Sequence, residues 1–224
     1  MTTTFIVRRG ALRARQAQAL IETSREIKVL GVAESLYRAR PALAKLDADT
    51  VLLDLRLEDG AALSLVRWLR ERDGGRPKIM LVVADAADPL LFASLVAGAD
   101  AYLLEADLPV AAAMLGRLAA GEAGMAAPLA AQVLQFFNEP LQPAPRRNAV
   151  TDERHLDWHS HGSNPMRLSP GEVWLVQLLA QGARSGEVAA RAGQSVEAVG
   201  RRIANIYRKL AWDLRRGALS LLAA

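Results

Sequence analysis

Short runs of β-branched and aliphatic residues recur in the first part of the chain, at 3–7, 27–32, 51–55, 79–83 and 101–104. Each is apolar through most of its length, the pattern of strands covered on both faces. Between them, apolar residues return at helical spacing over 12–21, 35–44, 61–70, 89–97 and 108–119. Strands alternating one for one with helices predict a doubly wound, five-stranded parallel sheet, an α/β domain. A further helix is predicted over 128–137, after a turn at 121–124.

Periodicity then stops. From Asn138 to Arg167 the chain carries Pro140, Pro143, Pro145 and Pro165 with mixed charges, which reads as an interdomain linker. His155, His159 and His161 all fall in it, but nothing nearby completes a rigid ligand set, so a solvated linker is favoured over a metal site. Trp158 is placed to dock it on a domain surface. The expected division is 1–120, 121–138 (the extra helix), 139–167 (the linker) and 168–224.

The last region is all helix. Ser169-Pro170-Gly171-Glu172 is a capping box with proline at the first helical position, and Leu168 with Val173 has staple spacing. That helix stops at Gly182. A short helix follows Ser185 and ends near Gly193. Ser195 caps a longer helix to about Leu210, and Asp213 is placed to cap a fourth, carrying Leu214, Leu219 and Leu222. Short helix, glycine turn, capped basic helix is the order of a helix-turn-helix.

In the capped helix, Val199, Ile203, Ile206 and Leu210 form one apolar stripe at 100° per residue. The opposite face carries Glu197, Arg201, Ala204, Asn205 and Arg208, flanked by Arg202 and Lys209. Charge sharpens this picture. The chain of 224 residues has a net charge of +4. Arg184, Arg191, Arg201, Arg202, Arg208, Lys209, Arg215 and Arg216 stand against Glu172, Glu187, Glu197 and Asp213 in the last region, which leaves the rest neutral. A basic end on a neutral body suggests a polyanion partner, usually nucleic acid, and a helix of this width fits the major groove of double-stranded DNA. Arg201 is the leading base reader, through the paired acceptors of guanine, and Asn205 suits adenine. Arg202, Arg208 and Lys209 are expected on phosphates.

These residues resemble a known family. Leu168-Ser-Pro-Gly-Glu172, Leu178-Leu-Ala-Gln-Gly182, Glu187-Val-Ala189, Ser195, Val199 and Arg208-Lys-Leu210 are similar to the LuxR/NarL-type DNA-binding domain. Val51-Leu-Leu-Asp54-Leu55 and Ala97-Gly-Ala-Asp-Ala-Tyr-Leu-Leu104 resemble a response-regulator receiver, a flavodoxin-like fold. Residues 121–137 resemble the extra helix of this family's receivers. The resemblance implies a receiver followed by a four-helix, DNA-binding helix-turn-helix domain, a transcription regulator of two-component phosphorelay type acting as a dimer on paired half-sites. Its dimer surface is expected on the first and fifth receiver helices, the fourth helix with the fifth strand, or the last helix near Leu219. Ala198 and Gly200 stand where the family often has threonine and lysine, two lost DNA-facing contacts.

The receiver's chemistry is largely missing. Asp54 matches the phosphoacceptor and Tyr102 the aromatic switch position, but Arg8 and Arg9 replace the acidic residues that would hold Mg²⁺. Val83 replaces a phosphate-binding hydroxyl and Glu105 the usual lysine. A degenerate pocket is expected, without cofactor or metal, in which Arg8 or Arg9 pairs with Asp54 and lowers its pKa. The protein is then a regulator independent of phosphorylation. The alternatives are a regulator still modulated at Asp54, one controlled by a small-molecule ligand or sensor protein, and an interaction module that has lost DNA binding. No nucleophile–base pair or phosphate loop supports an enzyme. With no cysteine, disulfides, iron–sulfur clusters and thiolate zinc are excluded. No apolar run reaches the ~18 residues of a membrane span, and Arg8 and Arg9 interrupt any signal segment, so a cytoplasmic protein is expected.

Overall fold

The computed structural model describes residues 1–73, 76–137 and 167–221, which form two compact units, Met1–Gly121 and Glu122–Ala224. His155, His159, His161 and Trp158 lie outside the described residues.

The first unit is the doubly wound sheet. Strands β1 (Thr2–Val7), β2 (Ile27–Ala33), β3 (Thr50–Asp54), β6 (Lys78–Val83) and β7 (Ala101–Leu104) lie in the order β2-β1-β3-β6-β7, all parallel. Helices α1 (Ala11–Glu22), α2 (Leu36–Leu43), α3 (Leu63–Asp73) and α4 (Pro89–Val96) make the crossovers, and α5 (Ala111–Ala119) follows the last strand. The central strand β3 is buried from end to end, with apolar Val51, Leu52 and Leu53 between Thr50 and Asp54. Val7 pairs with Leu53, and Asp54 with Val82, so the chain leaves β1 and β3 side by side at the carboxyl edge.

Two helix starts differ from the sequence expectation. Residues Arg56–Leu57 and Gly60–Ala61 form a two-stranded antiparallel ladder (β4 and β5), which delays α3 to Leu63. The expected helix from Leu108 begins as a 3-10 turn over Glu105–Val110, and α5 proper starts at Ala111. Pro109 is the cause, since it disfavours the α region for Leu108 and supplies no amide.

The opposite edge is pinned by polar contacts. Thr3 donates its amide and hydroxyl to Asp49 Oδ2, each at 2.8 Å. Arg70 donates to the carbonyls of Gly98 and Pro77 and to Asp100, whose other oxygen accepts from Lys78 at 2.9 Å.

The second unit holds α6 (Ala127–Phe136), α7 (Pro170–Ala180), α8 (Ser185–Ala192) and α9 (Val196–Leu221). The capping box of α7 is complete: Ser169 accepts from the Glu172 amide, and Glu172 accepts from the Ser169 amide. Gly193 ends α8 in the left-handed region at φ 61°, and Ser195 accepts from the Ala198 amide to start α9. Leu129, Ala130, Val133 and Leu134 of α6 are buried, and α6 packs on α7. The unit thus has four helices among the described residues, but they are not the four read from the sequence. The break expected at Asp213 is absent, because α9 continues to Leu221, and α6 is the remaining member. Among the described residues no helix is long and apolar enough to cross a membrane.

Candidate functional site

The carboxyl edge of the sheet gathers three of the residues singled out in the sequence. Arg8 follows β1, Asp54 ends β3 and Glu105 follows β7. Arg8 is 1% exposed and Asp54 5%. Arg8 Nε donates to Asp54 Oδ1 at 2.9 Å, and its Nη2 donates to Glu105 Oε1 and Oε2 at 2.8 and 2.6 Å. The other Asp54 oxygen accepts from the Arg9 amide at 2.7 Å. One guanidinium therefore bridges two carboxylates, and neither oxygen of Asp54 is without a donor. Arg13 approaches Glu105 from α1 at 3.9 Å.

The electrostatics correct one expectation. Burial pushes the Asp54 carboxyl above the ordinary carboxylate range; the Arg9 amide and the Arg8 charge pull against it, and Glu105 adds to the rise. The predicted lowering by an arginine partner fails because withdrawal from water outweighs the pairing. Burial also works against the charge of Arg8, but the hydrogen bond to Glu105 and the attraction of both carboxylates overcome it and raise its pKa.

The remaining pocket residues behave differently. Arg9 contributes its backbone amide, while its side chain is exposed. Val83 is buried at the end of β6 and offers no donor, and Tyr102 is half-buried on β7. Glu105, read as a replacement for the usual lysine, serves as the second partner of Arg8. The signal was available: opposite charges at two pocket positions whose usual signs are both reversed. The residues do not fit Mg²⁺, since the Asp54 oxygen facing Arg8 already binds a cationic group. Among the described residues no cluster of His, Asp or Glu is suited to a metal ion.

On α9, Val199, Ile203, Ile206 and Leu210 are all fully buried, as the stripe requires. Arg201 and Arg208 are exposed and Asn205 is half-buried, with Asn205 Oδ1 accepting from Arg208. Three residues read as DNA-facing are placed otherwise. Lys209 donates to Glu172 at 2.6 Å and to the Arg167 carbonyl at 3.0 Å, tying α9 to the start of α7. Arg202 is only 9% exposed. Gly200 is buried against Glu122. These three flank the stripe rather than oppose it, so packing claims them. Ser195 acts as a helix cap.

No family model matches the chain. Over 207 residues, 92% of this chain and 87% of its relative, it is 28% identical to the nitrate/nitrite response regulator protein NarP of Escherichia coli (strain K12). The RcsB response regulator of Salmonella typhimurium has a similar solved structure, with TM-score 0.51 and 18% identity over 93% of this chain and 91% of that one. A complex of the two-component response regulator RcsB with DNA matches at TM-score 0.52 and 17% identity, covering 96% and 98%. The chain is thus similar in sequence to a response regulator and shares the fold of another. In this chain the doubly wound sheet precedes the helical unit, and Asp54 at the end of β3 is an ion-paired carboxylate.

Proposed function

We propose that this chain is a DNA-binding transcription regulator of response-regulator type that works as a homodimer and does not depend on phosphorylation of Asp54. The observation that carries the reading is the Arg8 guanidinium shared by Asp54 and Glu105. To take a phosphoryl group, a carboxylate oxygen must be free to attack, with a cation neutralising the charge that develops. Here both oxygens are held, at 2.9 and 2.7 Å, and the cation is covalently part of the chain.

DNA binding is supported by the exposed Arg201 and Arg208 beside Asn205, on a helix whose opposite face is fully buried. The similarity to NarP, and to RcsB solved as dimers bound to DNA, supports it further. A two-fold dimer matches paired half-sites.

The test is incubation of the full chain with a small phosphodonor and Mg²⁺, followed by intact mass measurement. No adduct is expected, and a stoichiometric phosphate on Asp54 overturns the reading. Genomic footprints of the wild type and of Asp54→Ala are expected to coincide.

A further inference from the structure

Glu197 is exposed in the first turn of α9, just after the Ser195 cap. Successive residues turn by about 100°. With Glu197 taken as the origin, Arg208 lies about 20° round the helix, Arg201 about 40° and Asn205 about 80°. The buried Val199, Ile203, Ile206 and Leu210 lie about 180–240° away. Glu197 is therefore on the face that carries the basic residues, directly across from the packed stripe. Along the axis it precedes Arg201 by about 6 Å, toward the amino-terminal end that meets base edges in a helix-turn-helix. Between Ser195 and Arg201 it is the only residue with a polar side chain, since Val196, Ala198, Val199 and Gly200 fill the other positions. Duplex DNA carries about one negative charge per 1.7 Å of its axis, so a carboxylate brought into the groove is repelled unless a donor meets it. An acid near a helix start is favoured by the helix dipole, but any first-turn position would serve that purpose.

We propose that Glu197 is a specificity-determining residue that reads cytosine in the major groove. The proposal rests on the reading of α9 as the DNA-binding helix. Guanine presents two acceptors in that groove, and thymine an acceptor and a methyl group, so neither offers a donor to a carboxylate. Adenine has an amino donor, but N7 stands beside it and its lone pair opposes the second carboxylate oxygen. Cytosine has an amino donor with no acceptor alongside. On cytosine Glu197 gains a charge-assisted hydrogen bond; on guanine or thymine it is desolvated against lone pairs. The discrimination thus comes as much from repulsion by the wrong bases as from attraction to the right one. Successive bases on a strand are about 3.4 Å apart along the axis, so the spacing of Glu197 and Arg201 corresponds to about two base pairs. The cytosine is expected within that distance of the guanine read by Arg201.

The test is selection of bound sequences from a random duplex library by the full chain and by its Glu197→Gln variant, with affinity for unselected duplex measured at one fixed salt concentration. Wild type is expected to enrich a cytosine and to prefer it to guanine at that position by about ten-fold. Glu197→Gln is expected to lose that preference and to keep the rest of the consensus. With one repelling charge removed, it is expected to bind unselected duplex about two-fold more tightly. Urea unfolding of the variant is expected to match wild type, because the side chain is exposed. A residue that only stabilises the helix start would alter unfolding and leave the consensus alone. A variant that selects the wild-type consensus, or that loses a base other than cytosine, overturns the assignment of Glu197 and leaves the DNA-binding reading standing. A wild type that enriches no sequence overturns both.

Discussion

Arg8 reaches Asp54 through Nε at 2.9 Å while 1% exposed, so the carboxylate and its cation are buried as one unit. Such a pair contributes little net stability over a matched apolar pair, because both charges lose their hydration. Removing one member is another matter. Arg8→Ala strips a buried carboxylate of its partner and is expected to destabilise the first unit by about 3–5 kcal/mol. Asp54→Ala leaves the guanidinium on Glu105 and is expected to cost less, about 1–3 kcal/mol. Glu105→Gln, at a side chain 42% exposed, is expected to cost about 1 kcal/mol or less. Urea unfolding followed by circular dichroism checks the order, and an Arg8→Ala protein as stable as Glu105→Gln contradicts it.

Asp49 and Asp54 are displaced in opposite directions, so they respond oppositely to pH. The Thr3 amide and hydroxyl hold Asp49 below its ordinary 3.8. Its contribution to stability is complete above that ordinary value and is lost as the pH falls through its lowered value. Burial holds Asp54 above 3.8. Between 3.8 and the higher folded value the native state binds the extra proton, so the contribution of this group declines as the pH rises through that window. Asp49→Asn is expected to be less stable than wild type at neutral pH, with the gap closing in acid. Carboxyl-carbon NMR titration is expected to give Asp54 a midpoint above that of Asp49; the reverse order refutes the assignment.

The sheet was legible because β3 and β6 are apolar through both faces, a signal that survives without knowledge of tertiary contacts. The capping box at Ser169 and Glu172 and the stripe from Val199 to Leu210 were legible for the same reason: each is a local rule with a fixed spacing. Asp54, Arg8 and Glu105 were each singled out, and so was an arginine pairing with Asp54; Glu105 as the second partner of Arg8 was not, and whether burial or pairing governs Asp54 depends on how deep the pocket lies. Lys209 illustrates the limit most sharply. Its position on a wheel borders the basic face, and only the approach of α7 turns it toward Glu172. Nothing at Asp213 could reveal that α9 runs on, because a residue able to cap a helix is also tolerated within one.

The amino-terminal edge of the sheet depends on Arg70, whose donors reach the carbonyls of Gly98 and Pro77 and the carboxylate of Asp100. Gly98 has φ 115°, and a Cβ there would fall 2.9 Å from Arg70 Cγ. Strain and clash therefore coincide at one position. Gly98→Ala is expected to destabilise the first unit by about 1–3 kcal/mol. Arg70→Ala, which leaves buried carbonyls without donors, is expected to cost about 3 kcal/mol. Thermal unfolding of each variant measures this, and a Gly98→Ala protein at least as stable as wild type rules out the strain.

Arg201 and Lys209 lie on the same helix, yet substitutions there are expected to separate stability from recognition. Lys209 is 13% exposed and paired with Glu172, which is also the closing member of the α7 capping box. Lys209→Ala leaves that carboxylate buried without its cation, so the second unit is expected to lose about 1–3 kcal/mol of stability. Any fall in DNA affinity follows from that loss and is the same for every duplex. Arg201 is exposed, and its removal disturbs no packing. Arg201→Ala is expected to leave unfolding unchanged within about 0.5 kcal/mol and to weaken binding to a preferred duplex by about 1–3 kcal/mol. Affinity for random duplex is expected to fall much less, because a base contact distinguishes sequences whereas a phosphate contact does not. Fluorescence anisotropy on both duplexes, beside urea unfolding of both variants, resolves the two roles. If Arg201→Ala weakens both duplexes equally, Arg201 is a phosphate contact and base reading falls to Asn205.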